Sequence, residues 1–308
     1  MFRKLVKHIM RLYMPVYLYE TDKMKIVYAG YSSVKKIYFV RLILSRDYGQ
    51  SFLGWRWFRK IPDLNKSLKT DIVLSEIGRI SLSYFQKRDG YLLPVWCPLI
   101  INIERPMDEI CPSRMSHFAH IKRRIRKYKL TYEILSDNES FDDFITRFYI
   151  PYITKRHGEE AIISDLKSSW DTSASVFLLA IKEDGVIVAA SFNEQSGEYI
   201  KLLNLGLLDG SEEYLQHGAI GALYYYGILE GKKRGCRYFD AGASRPFISD
   251  GLTKYKIGWG AEFVATYSPE EEYVWLGVNE HSSVAQDFID NNPFIYFNAD
   301  HKLIRSSP

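Results

Sequence analysis

The chain has 308 residues, of which 46% are hydrophobic and 25% charged, a composition that excludes a disordered protein and allows two domains. Its three cysteines lie far apart, which excludes a disulfide framework and favours a reducing compartment. No apolar stretch approaches the roughly 18 residues of a membrane span, and no signal-peptide core follows the basic start, so we expect a soluble, cytoplasmic protein.

Charge divides unevenly along the chain. Residues 1–129 hold 26 Lys and Arg against 10 Asp and Glu, whereas residues 130–308 hold 15 against 27. An excess of cations in one part indicates an anionic partner such as phosphate, nucleic acid or an acidic membrane surface. The division would also arise if the two parts attract each other across an internal interface, so both interpretations stand.

The first fourteen residues have helical spacing, with Leu5, Ile9 and Leu12 on one face and Lys4, Lys7 and Arg11 on another. Such a helix either rests on a membrane surface or packs on its own domain. Peripheral contact with the inner face of the membrane is therefore an alternative to a purely cytoplasmic location.

The region up to residue 110 reads as irregular β structure. The runs MKIVYAG, KKIYFVRLIL, RISLSYF and LIINIE are separated by Gly, Pro and Asp, which predicts strands. The piece GWRWFRKIP sets two tryptophans among basic residues, where the rings either stack on a ligand or pack in a core or interface. We interpret residues 1–110 as a basic N-terminal α/β unit.

A basic helix is predicted over residues 113–129. Its apolar face consists of Phe118, Ile121, Ile125 and Tyr128. Arg123, Arg124 and Arg126 lie on its other faces and are candidates for binding an acidic or phosphorylated substrate. A solvated basic face has the same pattern.

The clearest segment is SVFLLAIKEDGVIVAASFNEQSGEYIKLLNLGL, which predicts three antiparallel strands joined at Asp184-Gly185 and Ser196-Gly197. A helix follows in LQHGAIGALYYYGILEGKKRG and ends at Gly235. Next come a buried strand (CRYFDAG), a helix (LTKYKIGWG), a strand (AEFVATY), an apolar stretch (YVWLGV) and a small helix at residues 284–289.

This order, a three-stranded meander, a helix, a strand and a further helix and strand, resembles a GNAT domain. In that fold the start of the helix after the meander receives the pyrophosphate of an acyl-thioester cofactor, because backbone N–H groups and the positive end of the helix dipole favour an anion. The resemblance therefore implies cofactor binding at Gln216, His217, Gly218, Ala219 and Gly221. The GNAT signature is Q/R-x-x-G-x-G/A, and Ala219 stands here where the first glycine belongs. The small residues also suit close helix packing.

A wider block resembles the Fem-type peptidyltransferases and related GNAT proteins of polysaccharide and cell-envelope gene clusters. It consists of GALYYYGILEGKKRGCRYFDAGAS and GLTKYKIGWGA. The aromatic-Asp-small-Gly strand end is Tyr238 to Gly242, and the aromatic-Lys pair is Tyr255 and Lys256. The helix at 117–129 resembles the basic helix that opens the second GNAT domain in that group.

The resemblance implies a mixed α/β GNAT fold with a largely antiparallel sheet over residues 111–300, a divergent GNAT-like half before it and a tail at 301–308. It also implies catalytic residues Lys256, Asp240 and Tyr255. Lys256 would face the donor phosphate or the developing negative charge, Asp240 would act as base or orient the substrate, and Tyr255 would line the acceptor pocket. Structural alternatives are a solvated lysine, a loop cap and plain packing.

The expected reaction is transfer of an acyl group from acyl-coenzyme A, most simply acetyl-coenzyme A, to an amine or hydroxyl of a sugar or lipid-linked envelope precursor, with no metal. Two alternatives are a Fem-type transfer from aminoacyl-tRNA and a non-catalytic protein that binds nucleic acid or another anion. His117, His120 and Cys111 lack further partners at ligand spacing, so we expect ordinary histidines there.

Overall fold

The computed structural model describes residues 9–45, 47–112, 116–158, 163 and 165–306. The strands are β1 (Tyr13–Glu20), β2 (Lys25–Ala29), β3 (Gly49–Trp57), β4 (Ile72–Ile77), β5 (Tyr91–Pro94), β6 (Cys97–Asn102), β7 (Thr131–Leu135), β8 (Val176–Glu183), β9 (Val186–Ser196), β10 (Tyr199–Leu207), β11 (Tyr238–Ser244), β12 (Glu262–Phe263), β13 (Tyr273–Val278), β14 (Ile295–Phe297) and β15 (Leu303–Arg305). The helices are α1 (Ser33–Leu44), α2 (Leu64–Leu68), α3 (Arg79–Phe85), α4 (Met107–Ile110), α5 (Ser116–Lys127), α6 (Asn138–Asp143), α7 (Ile150–His157), α8 (Lys167–Thr172), α9 (Glu212–His217), α10 (Ala219–Lys233), α11 (Gly251–Gly258) and α12 (Ser283–Asn291). A π-helical stretch, Phe144–Tyr149, joins α6 to α7.

The chain forms two compact units that interleave in sequence. The first comprises Met1–Cys97, Ser244–Lys254 and Ala265–Pro308, and the second comprises Pro98–Ala243 and Tyr255–Val264. The domain limits at residues 110 and 300 stay predictions. The segments of these two units begin and end at other residues. The segment 301–308 contains β15, which pairs with β14.

An eight-stranded mixed sheet organises the first unit, in the order β15-β14-β5-β13-β4-β2-β1-β3. Strands β2 and β4 are parallel, and β13 lies antiparallel between β4 and β5. Apolar side chains pack on both faces of this sheet, since successive strand residues point to opposite sides. The middle of the sheet therefore depends on a strand from near the C-terminus.

Two runs predicted as strands are helices, and those predictions are wrong. KKIYFVRLIL lies in α1, where the Ser32 hydroxyl caps the helix by accepting the Lys35 N–H, and RISLSYF forms α3. Buried residues recur at helical spacing in both, at Phe39, Val40 and Leu44 in α1 and at Leu82 and Phe85 in α3. β-Branched and aromatic content suggested strands, but packing of one helical face decides the conformation.

The predicted N-terminal helix lies mostly outside the described residues, which start at Ile9. Its last two positions, Tyr13 and Met14, belong to β1 instead. Here strand pairing with β2 and β3 supplies the backbone hydrogen bonds.

A seven-stranded sheet organises the second unit, in the order β12-β6-β11-β10-β9-β8-β7. The predicted meander is β8, β9 and β10, paired antiparallel throughout. Asp184 (φ 46°) and Gly185 (φ 86°) take the left-handed conformations that a tight hairpin turn needs. The prediction of a mixed α/β fold with a largely antiparallel sheet flanked by helices is confirmed.

The parallel neighbours β10 and β11 pair over only a short distance. Their register comprises Tyr199↔Tyr238, Ile200↔Phe239 and Lys201↔Asp240. Strand β10 then has an irregularity between Leu202 and Asn204 and continues beside β9 to Leu207. From there the chain leads through α9 into α10. Among the described residues, no helix has the length and apolar character needed to cross a bilayer.

Candidate functional site

The helix predicted to start near Leu215 is divided at Gly218. Gly218 has φ 89°, a left-handed conformation that glycine adopts without a steric penalty, and it separates α9 from α10. The first hydrogen bond within α10 runs from the Ala222 N–H to the Gly218 carbonyl, 2.9 Å away. The amides that precede this bond, at residues 219–221, form the positive end of a helix 15 residues long.

A cavity of about 590 Å³ lies beside this helix start. Its lining residues are His120, Arg123, Arg124, Lys127, Tyr128 and Gln216. All but Gln216 come from α5 and the residue that follows it. The structure thus brings the predicted cofactor residue Gln216 together with two of the three predicted substrate residues, Arg123 and Arg124.

Two glycines allow α5 to approach α10 closely. A Cβ at Gly218 would lie 2.9 Å from Cδ of Arg124, and a Cβ at Gly221 would lie 3.1 Å from Cγ1 of Ile121. Arg124 therefore extends over the Gly218 backbone. Gly221 and the fully buried Ala219 belong to the packed part of α10 and are not among the cavity lining.

His217 anchors the end of α5 to this junction. Its ring stacks on Tyr128 with centroids 3.8 Å apart, and its Nδ1 lies 2.9 Å from a carboxylate oxygen of Glu183 on β8. Arg123 donates to Nδ1 of His120 at 2.9 Å. The α5 side of the cavity is thus held by side-chain contacts, which reduces the ordering that a ligand would have to impose there.

The structure places Arg126 differently from the other two arginines. It is exposed on α5 and does not line the cavity. Sequence reasoning could not separate the three, because helical spacing gives the direction of a side chain but not what lies opposite it.

Asp240 and Lys256 each form hydrogen bonds with backbone groups at the end of β11. The Lys256 ammonium is 4% exposed and donates to the carbonyls of Gly242 and Ala243, both at 3.0 Å. The Asp240 Oδ1 accepts the N–H of Gly242 at 2.8 Å. These bonds fix the conformation of the strand end. The bond from Gly242 to Asp240 is the loop cap that the sequence analysis gave as the structural alternative for Asp240.

Tyr255 packs in an aromatic cluster. Its ring meets Tyr224 edge-on at 5.2 Å and also contacts Trp259. Burial raises the pKa of Tyr255 well above its ordinary value of 10.0, although a hydrogen bond with Trp259 opposes this, so the hydroxyl is neutral at physiological pH. Asp240, Tyr255 and Lys256 are not among the residues that line the cavity.

Sequence reasoning missed several members of the cavity wall. The sequence pattern places Tyr128 on the apolar face of the helix, suggests His120 only as a possible metal ligand, and does not single out Lys127. His120, Arg123, Arg124 and Lys127 recur at three- and four-residue spacing, which places them on one side of α5. That spacing was the available signal. Among the described residues, no group of three or more His, Cys, Asp and Glu is arranged to hold a metal ion.

Solved structures similar to this chain include Fem-type and GNAT proteins. FemX is 12% identical, with a TM-score of 0.45, 83% of this chain covered and 82% of FemX. L-PGS from Bacillus licheniformis is 11% identical, with a TM-score of 0.42 and coverage of 89% and 84%. A GCN5-related N-acetyltransferase from Kribbella flavida is 13% identical, with a TM-score of 0.33 and coverage of 92% and 95%.

No family model matches the sequence, and no curated protein matches it significantly. The roles proposed below therefore rest on the geometry of this chain.

Proposed function

We propose that the second unit is an acyltransferase whose donor binds with its phosphates in the cavity beside α10. The observation that carries this proposal is that Gln216, Arg123, Arg124 and Lys127 share one cavity at the start of a long helix. Guanidinium groups bind phosphate in a two-pronged geometry, and a helix start attracts anions. The three cationic side chains and the helix dipole thus favour a ligand with several negative charges.

The diverging strands suggest where the rest of the donor lies. The pairing of β10 with β11 ends at Lys201 and Asp240, and beyond it Leu203 is 40% exposed while Asn204 and Leu205 are half-buried. Backbone amides there suit an extended ligand arm that carries amide groups, which a strand edge can bind. Coenzyme A combines such an arm with several phosphate charges, so an acyl-coenzyme A is the donor that we propose.

In the proposed reaction an acceptor amine attacks the thioester carbonyl carbon, the carbon–sulfur bond breaks, and the amine loses one proton while the thiolate gains one. We propose that Asp240 accepts the amine proton. The Tyr255 hydroxyl is buried in its aromatic cluster, so Tyr255 supports this site by packing. Lys256 acts as a positioning residue, because its two hydrogen bonds fix the residues that follow Asp240.

The acceptor that we propose is an amine or hydroxyl of a sugar or lipid-linked envelope precursor. An aminoacyl-tRNA is the alternative donor, since its phosphates would suit the same cations. Binding experiments separate the two donors, because acyl-coenzyme A contains no polynucleotide whereas aminoacyl-tRNA does.

Calorimetric binding of acetyl-coenzyme A, a longer acyl-coenzyme A and aminoacyl-tRNA tests the proposal. Arg124→Ala should weaken binding of the true donor roughly tenfold or more, because a charge-assisted pair is lost. Arg126→Ala is the matched control on the same helix and should change affinity less than about twofold. Equal losses for the two variants, or no binding of any donor, would contradict the proposal.

A further inference from the structure

An exposed aromatic face lies at the edge of the eight-stranded sheet in the first unit. Five rings make it up, each between 37% and 55% exposed. They are Tyr13, Tyr31, Phe52, Trp55 and Trp57. Large aromatic side chains normally bury most of their surface, so a group of exposed rings indicates a binding surface.

The strand register places four of these rings on one side of the sheet. Cross-strand neighbours Tyr13↔Trp57 and Tyr17↔Phe52 point to the same face, and Pro15↔Trp55 lies between them. Tyr13 stacks on Trp55 with centroids 6.0 Å apart. Among the described residues β3 is the last strand of this sheet, so the rings lie at its edge.

Tyr31 fixes this face to the start of β1. Its ring centroid lies 5.7 Å from that of Trp55. Its hydroxyl donates to the Tyr13 carbonyl at 2.6 Å and lies 3.1 Å from the Met10 carbonyl. Met10 and the neighbouring Ile9 are themselves exposed. The surface is thus a rigid aromatic platform with an aliphatic rim.

Cations accompany the platform. Residues 31–60 hold seven Lys and Arg and a single acidic residue, Asp47. Lys60 is exposed in the turn after β3, and the Lys36 ammonium lies 4.1 Å above the ring of Tyr17, the cross-strand neighbour of Phe52. Arg56 alternates with Trp55 and Trp57 and pairs with the buried Met14, so it points to the other side of the sheet. The segment therefore combines exposed apolar surface with a positive field.

We infer that this aromatic face docks on an anionic phospholipid bilayer. Trp and Tyr favour the boundary between lipid and water, where the ring is buried and the polar atom stays hydrated. Lys and Arg near such a surface are attracted by anionic headgroups. Exposed Ile9 and Met10 insert into the same boundary.

The observations favour a bilayer over nucleic acid. Bases stack on free ring faces, whereas Trp55 already packs against Tyr13 and Tyr31. Aliphatic side chains also add little to a polynucleotide site, but they do add to insertion in lipid. Nucleic acid and a second copy of this chain are the competing occupants that the experiment must separate.

The test is co-sedimentation of the full chain with vesicles of phosphatidylcholine, either alone or with about one lipid in three replaced by phosphatidylglycerol. The chain should bind the anionic vesicles, and its tryptophan emission should shift to shorter wavelength. Trp55→Ala/Trp57→Ala should weaken that binding roughly tenfold or more. Tyr199→Ala, at an exposed aromatic residue of the second unit, should leave it unchanged.

Charge is tested by a matched pair of variants. Lys36→Glu/Lys60→Glu should reduce binding to anionic vesicles roughly tenfold or more. Lys66→Glu/Lys69→Glu makes the same change in net charge on exposed residues of α2 and just after it, and should reduce binding much less. Folding of each variant is checked by its unfolding transition. Binding that is equal for Trp55→Ala/Trp57→Ala and the parent chain overturns the inference. So does binding of single-stranded oligonucleotides, or self-association, that depends on Trp55 in the absence of vesicle binding.

Discussion

At the scale of single residues, Lys256 is both a buried cation and a proposed positioning residue of the active site. A buried ammonium is tolerated when hydrogen bonds replace its hydration, and here the Gly242 and Ala243 carbonyls supply two of them. From the sequence, the resemblance implied that Lys256 faces the donor phosphate or the developing negative charge. The structure adds a cost in stability, because the partly buried ammonium and the carbonyls of Gly242 and Ala243 lose their hydrogen bonds.

We therefore predict that Lys256→Ala lowers the free energy of unfolding by about 1–3 kcal/mol and abolishes acyl transfer. Lys254→Ala, two residues away on an exposed position of α11, should stay within about 0.5 kcal/mol of the parent chain and keep its activity. Denaturant unfolding and a donor-turnover assay measure the two effects. An active Lys256→Ala variant would remove this residue from the mechanism.

At the scale of elements, a buried ion network joins the end of β4 to the start of α1. Glu76 on β4 is 1% exposed and accepts from the Tyr28 hydroxyl, the Ser32 N–H and Arg11. Arg11 also binds Glu272, which lies 2.6 Å from the Lys35 ammonium. The amino end of α1 is therefore occupied by a carboxylate of the chain itself.

This network makes the stability of the first unit depend on acid. Burial alone would raise the pKa of Glu272, but hydrogen bonds from Lys35 and Arg11 and their charges outweigh it and lower the pKa from 4.5 to about 2. A lowered pKa in the folded state gives stability that is present above pH 4.5 and is lost as the pH falls towards 2. Glu272→Gln should flatten this part of the pH dependence.

Denaturant unfolding between pH about 6 and about 3 measures the effect. Glu270→Gln is the control. Glu270 is two residues from Glu272 in the chain and forms an exposed ion pair with Arg79. It should reproduce the slope of the parent chain. Parallel curves for Glu272→Gln and the parent chain would contradict the assignment.

The elements also show what the sequence could predict. The meander β8–β10 could be predicted, because the alternation of apolar and polar residues and the Asp184-Gly185 turn are local signals. Helices α1 and α3 were mistaken because their β-branched and aromatic content masked a helical spacing. The lining of the cavity could be predicted only in part, because the stacking of Tyr128 on His217 brings together residues that are distant in sequence.

At the scale of the whole molecule, each unit is built from separate segments of the chain. Strand β13 lies between β4 and β5, with Val274 opposite both Glu76 and Leu93. Strand β6, in contrast, pairs with β12 in the sheet of the second unit. A boundary at residue 110 therefore separates strands from their own sheets on both sides. Such distant pairing leaves no local pattern in the sequence, so the sequence suggested a simpler division.

Fragments decide between the two divisions. Residues 98–264 contain every segment of the second unit, and we expect this fragment to unfold in one cooperative transition. Residues 111–308 lack β6, and residues 1–110 lack β13, so each should aggregate or unfold without a transition when produced alone. Co-expression of 1–110 with 111–308 controls for the cut itself and should restore soluble protein. Isolated residues 1–110 lose β13, β14 and β15, which leaves β4 with an unpaired edge and β5 without a neighbour in the sheet. Cooperative unfolding of this fragment would therefore contradict the interleaved division and support the boundary that the sequence suggested.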